Sequence, residues 1–342
     1  MKILYIHPYN NYTGSTKVMA DVLKSKYSDL SNIVMITETS QEGFFTGLGL
    51  KLINVPILRH NGRAIPLLSK IVWVLVGFFK VLYYVGDYDA VYINTILPGY
   101  AAIAARLRGR KVIYHVHELW VKKNLKSWFG ELVFNHTKSH RIYVSQYVAS
   151  NYPKRDDCTE EIIYNKLGKD FMDKVERIAV GCHNRRRILM LASLQRGKGI
   201  DMFLETAKLL PNYDFTLVIS SEDDLIKKYF CEGYPSNVTI LPKQSNVHKL
   251  YRQSDIILNL SNPNYCVETF GLTIIEGMAY GLPAIVPNAG GPMEVVENGN
   301  TGYVIDVTNA ENISKYIVRC TEKSEYERMY NNCLKRLEMF KY

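Results

Sequence analysis

Short apolar, β-branched segments alternate with helix-length segments along the whole chain. Most of the short segments are continuously apolar, which is typical of parallel strands that helices cover on both faces. In the first half the pattern predicts strands at residues 2–7, 32–37, 90–94, 112–117, 141–145 and 161–165. In the second half it predicts strands at residues 187–193, 215–220, 238–242, 256–261, 283–287 and 302–306.

Two sets of about six strands, each followed by a helix-length segment, predict an α/β fold with two doubly wound, Rossmann-like domains. The length of 342 residues agrees with two domains. We expect the first domain at residues 1–170, the second at residues 171–314, and a helical tail at residues 315–342. The hinge is expected in the polar segment 166–185. Ligands of open α/β sheets lie outside the carboxyl ends of the strands, so two such sheets would face each other across a ligand-binding cleft.

The longest apolar segment, residues 71–86, is interrupted by Lys80. It is shorter than the about 20 residues that a membrane-spanning helix needs. Two alternatives remain, a buried helix and a helix that lies on a membrane, and the strands predicted on both sides favour the buried helix slightly.

The formal net charge is +9, and the whole excess of basic residues falls in residues 1–170. A basic surface is compatible with nucleic acid or an anionic membrane as a partner, and equally with a surface that only keeps the protein soluble. No helix-turn-helix, RNA-binding aromatic motif or zinc-finger spacing is present in the sequence. A nucleic-acid-binding module is therefore a distant alternative.

The cysteines and the first residues of the sequence favour a cytoplasmic location. The six cysteines are scattered without a C-x-x-C pair, which argues against a zinc site or a disulfide scaffold and fits a reducing cytoplasm. The first residues read as a short strand and not as a signal peptide, so we expect a cytoplasmic protein.

Two glutamates stand in the otherwise apolar and glycine-rich segment 266–283. Glu268 lies in the loop after a predicted strand, and Glu276 lies in the helix that begins near Phe270 and Gly271. The first N–H groups of a helix favour a phosphate, and Gly271 allows a ligand to approach the backbone. Because carboxylates are rarely buried without a partner, Glu276 requires one. A sugar diol is one candidate; a distant basic residue is the alternative, since none is near it in sequence.

Basic and histidine side chains follow other predicted strands. Arg196 and Lys198 could neutralise a diphosphate, although a basic turn after a strand is common. His115 and His117 lie on one face of a strand end, and such a pair could hold a metal ion. No third ligand is evident in the sequence, so a hydrogen-bonding role is favoured for His117 and a core position for His115.

Three further features bear on the choice of ligand. Gly14 and Ser15, after the first strand, resemble a phosphate-binding glycine loop faintly, and G-x-G-x-x-G is absent, so nicotinamide binding is not supported. Lys243 directly follows strand 238–242, at the strand end where ligands of such sheets lie. The run Asp87-Tyr88-Asp89 resembles the acidic pair of metal-dependent sugar transferases, but it precedes its strand, away from the expected site.

The motifs of the second half resemble a retaining GT-B glycosyltransferase of family 4, the glycosyl transferases group 1. The resemblance rests on Glu268-x-Phe270-Gly271 followed by Glu276 and then by Gly-Met-Ala-x-Gly-x-Pro. It continues with Gly290-Gly291-x-x-Glu294 and with Asn300-x-Gly302. The order of strands and motifs fits along nearly the whole chain, most strongly over residues 186–306.

This resemblance implies roles for individual residues. Glu276 would bind the ribose diol, Glu268 would reach the donor sugar, and Lys198 would contact the diphosphate. The backbone amides around Phe270, Gly271 and Leu272 would hold the phosphate and the sugar. His117 would line the acceptor side of the cleft, and the first loop, with Gly14 and Ser15, stands where the family has a glycine pair.

Two further implications concern the tail and a substituted residue. The resemblance implies that residues 315–342 cross back onto the first domain. It also places Ser193 where the family often has an arginine, and Arg196 is a candidate substitute.

Together these features predict a metal-independent glycosyltransferase, with His117, Glu268 and Lys198 as catalytic residues and a nucleotide diphosphate sugar as co-substrate. No other cofactor is expected. The excess charge lies in the half that binds the acceptor in this family. This location favours a lipid-linked glycan acceptor of polysaccharide or lipopolysaccharide synthesis, with peripheral contact with an anionic inner membrane. The alternative for the basic residues at 106–111 is a helix C-terminus whose dipole they complement. A nucleotide-sugar epimerase or a phosphorylase of the same fold is the alternative.

Overall fold

The computed structural model describes residues 1–39, 42–56, 59–60, 63–64, 66–119, 125–221, 223–244 and 246–342. The chain folds into two compact units, Met1–Asn165 and Lys166–Tyr342. The division falls at the start of the expected hinge. Each unit is built on its own parallel sheet with helices on its faces.

The first unit contains a parallel sheet with the strand order β3-β2-β1-β6-β7-β8-β9 and a separate antiparallel pair, β4-β5. Its elements in chain order are β1 (Ile3–Tyr9), α1 (Gly14–Lys26), β2 (Val34–Glu38), β3 (Lys51–Asn54), β4 (Arg59–His60), β5 (Arg63–Ala64), α2 (Pro66–Tyr84), a 3-10 turn (Val85–Asp87), β6 (Ala90–Asn94), α3 (Gly99–Leu107), β7 (Lys111–Val116), α4 (Leu125–His136), β8 (His140–Tyr143), α5 (Gln146–Ser150) and β9 (Thr159–Ile162).

The continuously apolar strands lie in the middle of this sheet. Along β2 and β6 every residue is buried, because helices cover both faces. Right-handed crossovers place α2, α3 and α4 on one face of the sheet and α1 on the other. Helix α3 packs between α2 and α4. The carboxyl ends of β1, β6 and β7 meet at one edge of the sheet.

The second unit contains a parallel sheet with the strand order β12-β11-β10-β13-β14-β15. Its elements in chain order are α6 (Lys169–Met172), a 3-10 turn (Val180–Cys182), β10 (Arg187–Ala192), α7 (Ile200–Leu209), β11 (Asp214–Ile219), α8 (Asp223–Tyr229), β12 (Val238–Pro242), α9 (Val247–Gln253), β13 (Ile256–Leu258), α10 (Leu272–Met278), β14 (Ala284–Pro287), α11 (Pro292–Val295), β15 (Gly302–Ile305), α12 (Ala310–Thr321), α13 (Lys323–Arg336) and a 3-10 turn (Leu337–Phe340).

The predicted pair of Rossmann-like sheets is confirmed, and each predicted strand is present. Two strands, Ala90–Asn94 and Val238–Pro242, have the predicted bounds. The sequence pattern missed Lys51–Asn54, a short strand at the edge of the first sheet whose residues are half-buried or exposed. An edge strand of this kind needs no apolar run, which is why the pattern does not reveal it.

The tail after residue 314 belongs to the second unit. Its side chains Tyr326, Met329 and Cys333 are buried there, and the Cys333 thiol donates to the carbonyls of Leu282 and Thr301. The return of residues 315–342 to the first domain stays a prediction.

The sequence favoured a buried helix at residues 71–86. This prediction is wrong for one face of α2, which is exposed. Trp73 and Val81 are buried, whereas Leu75, Phe79 and Tyr83 are exposed. The apolar segment also extends beyond residues 71–86. Leu68–Asp87 has 20 residues and is, by length and composition, long enough to cross a membrane, a test that the core helix of a soluble protein also passes.

Candidate functional site

Two loops that follow neighbouring strands of the second sheet pack closely together. Gly197, after β10, accepts a hydrogen bond of 2.7 Å from the N–H of Asn262, after β13. A Cβ atom at Gly199 would lie 2.1 Å from the carbonyl oxygen of Leu260. Both glycines have a positive φ, 91° and 76°, which other residues adopt at a cost. The two glycines therefore hold Lys198, between them, against the second loop.

The structure brings together Lys198 and Glu268, two of the predicted catalytic residues. The Lys198 Nζ donates to the Glu268 Oε2 at 3.0 Å, and both side chains are about one-fifth exposed. Burial acts to raise the pKa of Glu268, but the charge of Lys198 and hydrogen bonds from Lys198, Asn259 and the Phe270 N–H hold that pKa below its ordinary value. The carboxylate in turn raises the pKa of Lys198 against the effect of burial. Both groups are therefore ionised near neutral pH.

The loop that carries Glu268 is held in place by backbone contacts. Gly291 donates its N–H to the Glu268 carbonyl at 2.9 Å. A Cβ atom at Gly290 would lie 2.2 Å from that carbonyl oxygen, and one at Gly291 would lie 2.0 Å from the carbonyl oxygen of Thr269. The glycine pair thus allows the loop after β14 to approach the backbone of the Glu268 loop.

We expect Gly290→Ala to displace the Glu268 loop and to lower both thermal stability and activity. The positive φ of 84° costs an alanine roughly 1–2 kcal/mol, and the contact with the Glu268 carbonyl adds to that cost. The matched control is Gly299→Ala, which has a φ of 74° and open space around it. Melting temperature and kcat/KM of both variants check the prediction. Equal losses in the two variants would contradict it.

Glu276 is buried in α10, with 6% of its surface exposed. Its partner is Tyr251, whose hydroxyl donates to the Glu276 Oε2 at 2.6 Å. Burial, and then the nearby carboxylate, raise the pKa of Tyr251. The Tyr251 ring stacks on Tyr280 at 5.7 Å between ring centroids. A phenol is a neutral donor, and carboxylate oxygens accept several hydrogen bonds, so this arrangement is compatible with a diol on the same carboxylate.

Helix α10 begins next to the residues where the sequence predicts a helix start. Gly271 precedes the helix with a φ of 99°, and Leu272 is the first helical residue. The Phe270 N–H is engaged by Glu268, and the Phe270 ring packs edge-on against Phe340. The amides of Gly271 and Leu272 are therefore better placed than that of Phe270 to meet an anion.

Two other predicted donor residues lie on loops of the second unit. The Arg196 guanidinium lies over the ring of Tyr265, 4.4 Å from its centroid, and is exposed. Lys243 is exposed directly after β12, and partial desolvation lowers its pKa. Their contacts with a donor stay predictions.

In the first unit, Asn94 links the ends of three strands and the first turn of α1. Its Nδ2 donates to the His7 Nδ1 at 2.9 Å and to the carbonyl of Ser15 at 3.1 Å. Its Oδ1 accepts from the His117 Nε2 at 2.9 Å. Because a carbonyl only accepts, the Ser15 contact sets the orientation of the amide, and the amide sets the His117 tautomer. The proton of His117 is on Nε2, and Nδ1 carries a lone pair.

His115 and His117 lie on one face of the strand end, with ring centroids 4.1 Å apart. His115 is buried, and its Nδ1 is 2.9 Å from the hydroxyl of Tyr92. Burial lowers the pKa of His115 and of His7 to about 3. Burial, and then repulsion from the other two rings, holds the pKa of His117 well below its ordinary value. These imidazoles are therefore neutral near pH 7.

Among the residues that the structure describes, no group of three His, Cys, Asp or Glu side chains could hold a metal ion.

Gly14 is exposed at the start of α1, and Ser15 is half-buried. Through Asn94, the structure brings Ser15 and His117 to the same edge of the first sheet.

The sequence pattern had assigned no role to Asn94, His7 or Glu118 at this edge. Glu118 accepts the N–H groups of Ile96 at 2.8 Å and His117 at 3.2 Å, yet burial raises its pKa to about 7. The signal that could have found these residues is their position, since each is a polar residue at or just after the carboxyl end of an apolar strand.

Thr95 adds backbone strain at the same edge. It has a φ of 84°, a region that β-branched residues rarely occupy. Its N–H donates to the His115 carbonyl at 2.8 Å. Strain of this kind is common at functional sites, where the surrounding contacts maintain it.

Comparisons with known proteins agree with this description. Residues 175–336 match the family model of the Glycosyl transferases group 1. Over 171 residues the chain is 28% identical to the N-acetyl-alpha-D-glucosaminyl L-malate synthase of Bacillus anthracis. That alignment covers 48% of this chain and 41% of the enzyme, so it spans less than half of the relative's length.

Solved structures resemble the chain over its whole length. Anabaena HepE in complex with UDP-glucose has a TM-score of 0.77 at 20% identity, with 100% of this chain and 96% of that chain covered. WaaG, a glycosyltransferase involved in lipopolysaccharide biosynthesis, has a TM-score of 0.74 at 13% identity, with 98% and 95% covered. At these identities the likeness shows the fold.

The fold is that of GT-B glycosyltransferases. Residues 175–336 are the domain that matches the model of the Glycosyl transferases group 1. This domain contains the Lys198–Glu268 pair, Glu276 and the glycine pair at residues 290–291.

Proposed function

We propose that the protein is a retaining, metal-independent glycosyltransferase of family 4. It transfers a sugar from a nucleotide diphosphate sugar to a hydroxyl of an acceptor. The observation that carries the proposal is the Lys198–Glu268 ion pair of 3.0 Å, in a loop that leads directly into α10 at Gly271. It combines a cation for a diphosphate, a carboxylate for sugar hydroxyls and the backbone N–H groups of a helix start.

In the proposed reaction, the bond between the anomeric carbon of the sugar and the diphosphate oxygen breaks. A bond from the acceptor oxygen to that carbon forms on the same face, and the acceptor proton passes to the departing diphosphate. The leaving group gains negative charge as the bond breaks. Lys198 and the amides of Gly271 and Leu272 stabilise that charge, with Arg196 as a further cation. Glu268 orients the donor sugar by accepting its hydroxyl groups.

The nucleoside is assigned to Glu276, whose carboxylate accepts from the ribose hydroxyls while Tyr251 holds its orientation. Lys243 and the backbone beside it, after β12, are assigned to the base. A uridine diphosphate sugar is the first donor to test, since HepE, with the same fold, is solved with UDP-glucose.

His117 is assigned to the transferred sugar or the acceptor. Because Asn94 holds the proton on Nε2, the Nδ1 atom of His117 is an acceptor for a substrate hydroxyl. Gly14 and Ser15, at the same edge, are assigned to binding of the donor phosphates. The neutral state of His117 suits hydrogen bonding at pH 7.

The proposed acceptor is a lipid-linked glycan of polysaccharide or lipopolysaccharide synthesis, and the proposed location is the cytoplasmic face of the inner membrane. Support comes from the basic excess in residues 1–170. A related fold also occurs in WaaG, a glycosyltransferase involved in lipopolysaccharide biosynthesis.

A thermal-shift screen of nucleotide sugars tests the donor site. At about 100 times its Kd a ligand stabilises the protein by about 2.7 kcal/mol, which is a shift of several degrees. We expect Glu276→Ala to lose most of this shift, because the ribose acceptor is gone. The control is Glu311→Ala on the exposed start of α12.

If no nucleotide sugar stabilises the wild type, or if Glu276→Ala responds as the wild type does, the donor assignment fails. A product assay with donor alone distinguishes transfer from epimerisation, since an epimerase converts the donor without an acceptor. Dependence on inorganic phosphate would instead indicate a phosphorylase.

A further inference from the structure

Helix α2 has two different faces. On one face Trp73 and Val81 are buried, and Gly77 lies so close to Tyr100 of α3 that a Cβ atom would come within 2.4 Å of its ring. The opposite face carries an exposed apolar stripe at helical spacing along nearly its whole length: Leu68, Ile71, Leu75, Phe79 and Tyr83. Single exposed apolar residues are ordinary, but a stripe of five on one helix marks an interaction surface.

The next helices of the same layer, α3 and then α4, also expose apolar side chains. Helix α3 exposes Ile103 and Leu107, and α4 exposes Trp128 and Leu132. The three helices pack in sequence on one face of the sheet. The most exposed of these side chains are Phe79 at 62%, Tyr83 at 78% and Leu107 at 67%. We call the stripe of α2 with these four residues the apolar face.

Basic residues border the apolar face. Arg106 at the end of α3, Arg108 in the turn that follows and Lys111 at the start of β7 are exposed. Arg110 ties this turn to the end of α2, since its guanidinium donates to the Gly86 carbonyl at 2.6 Å. The sequence has no acidic residue in ranges 66–84 and 99–111. Lys122 and Lys123, which also follow His117 in sequence, lie outside the described residues, as does the side chain of Lys126.

A groove of about 440 Å³ lies beside the stripe. Lys80 contributes to its lining, and the Lys80 amine donates to the Asn54 carbonyl. The remaining walls are apolar or aromatic. The lining residues are Ile53, Val76, Phe79, Lys80, Tyr83 and Tyr84.

We propose that the apolar face docks into the headgroup region of an anionic lipid bilayer, with the stripe of α2 in the acyl boundary and Arg106, Arg108 and Lys111 on lipid phosphates. Aromatic and aliphatic side chains next to cations are the composition of helices that lie in a membrane interface. A second copy of the chain fits less well, because a two-fold contact would bring the same exposed arginines, Arg106 and Arg108, together. Helix α2 does not cross the bilayer, since its other face packs on α3.

The test is co-sedimentation of the full chain with vesicles of phosphatidylcholine alone and with vesicles that contain about 30 mol% phosphatidylglycerol. We expect binding to the anionic vesicles only, and release at about 0.5 M salt. Equal binding to both kinds of vesicle would overturn the role of the cations. Absence of binding to either would overturn the proposal as a whole.

Two sets of substitutions separate the apolar and the charged contributions. Phe79→Ser with Tyr83→Ser is expected to weaken binding about tenfold or more for each residue. Replacing Arg106, Arg108 and Lys111 by Gln is expected to weaken it about fivefold for each charge. The matched control is Ile162→Ser with Ile163→Ser, two residues of the same unit that are each 40% exposed.

A control pair that weakens binding as much as the α2 pair would contradict the assignment of the surface. Light scattering measures the oligomeric state and so tests the competing occupant, a second copy of the chain. A wild-type dimer that Phe79→Ser dissociates would show that a second copy, and not a bilayer, covers the apolar face. The inference does not depend on the transferase assignment. Stabilisation of the docking variants by a nucleotide sugar is expected to equal that of the wild type, so the two proposals fail separately.

Discussion

Lys198→Ala is expected to lower kcat about 10²–10³-fold, the usual effect of losing one preorganised donor to a developing negative charge. Lys198 is the cation of the candidate donor site and is held between two glycines whose backbone only glycine adopts easily. Removing it takes charge away from the departing diphosphate. It also leaves Glu268, now paired at 3.0 Å, without its cation. Steady-state kinetics with a nucleotide sugar and its acceptor measure the effect.

Several variants distinguish a catalytic loss from a structural one. Lys208→Ala, on the exposed side of α7, removes a lysine of the same unit and should leave kcat unchanged. Lys198→Arg keeps the charge but changes its geometry, and we expect an intermediate rate. A double-mutant cycle with Glu268→Gln measures the coupling of the pair. A kcat near the wild-type value in Lys198→Ala would rule out the proposed role in leaving-group stabilisation.

The stability of the first unit is expected to fall steeply as the pH drops below about 6.5. His7 and His115 have a folded pKa of about 3, and that of His117 is also far below its ordinary value. The unfolded chain therefore binds protons that the folded unit does not. The stability that these neutral histidines contribute is fully present above the unfolded pKa and is lost as the pH falls towards the folded pKa.

Glu118 acts in the opposite direction. Its folded pKa of about 7 lies above the ordinary value of 4.5, so its folded form holds a proton that the unfolded chain releases. Its contribution is present at low pH and is lost as the pH rises from 4.5 to about 7. Between these values the three histidines outweigh it. The net slope from the four groups is about 3 kcal/mol per pH unit, with stability rising with pH.

Urea denaturation followed by tryptophan fluorescence checks this prediction, because the three tryptophans of the sequence all fall between residues 1 and 165, and two of them, Trp73 and Trp128, lie in the described part of the first unit. His115→Asn keeps an acceptor near the Nδ1 position but does not titrate. It should reduce the slope by about 1 kcal/mol per pH unit. His136→Gln removes an exposed histidine instead and is the matched control. A pH-independent stability between 4.5 and 6.5 would refute the argument.

The site shows how far a sequence motif leads. The spacing of Glu268, Gly271 and Glu276 predicts a loop and a helix start, and both are present because turn and helix geometry depends on neighbouring residues. The motif does not show that Lys198, 70 positions away from Glu268, forms an ion pair with it. That pairing requires β10 and β13 to be neighbours in the sheet.

Buried polar partners were the hardest to predict. Tyr251 lies 25 positions before Glu276, on a helix with no motif of its own, and only packing brings its hydroxyl to the carboxylate. Asn94 is 87 positions from His7 and 23 from His117, yet it bonds to both because β6 lies between β1 and β7. Such networks depend on which strands are adjacent, which a linear pattern does not contain.

For helix α2, too, the sequence predicts the element and only the packing decides which face is buried. Its length and apolar composition predict a helix, and residues 66–84 form one. An all-round apolar helix and one with a single covered face have the same composition, so the sequence alone leaves burial undecided.

By itself the sequence determined the two parallel sheets, all but one of their strands and the loops that carry the candidate chemistry, because strand and helix periodicity and glycine geometry are local properties. Only the tertiary structure decided which distant side chains are partners: Lys198 with Glu268, Tyr251 with Glu276, and Asn94 with His117. It also decided that one face of α2 is exposed. The physical reason is that pairing and burial depend on the adjacency of elements in space, and many positions of the chain contribute to that adjacency at once.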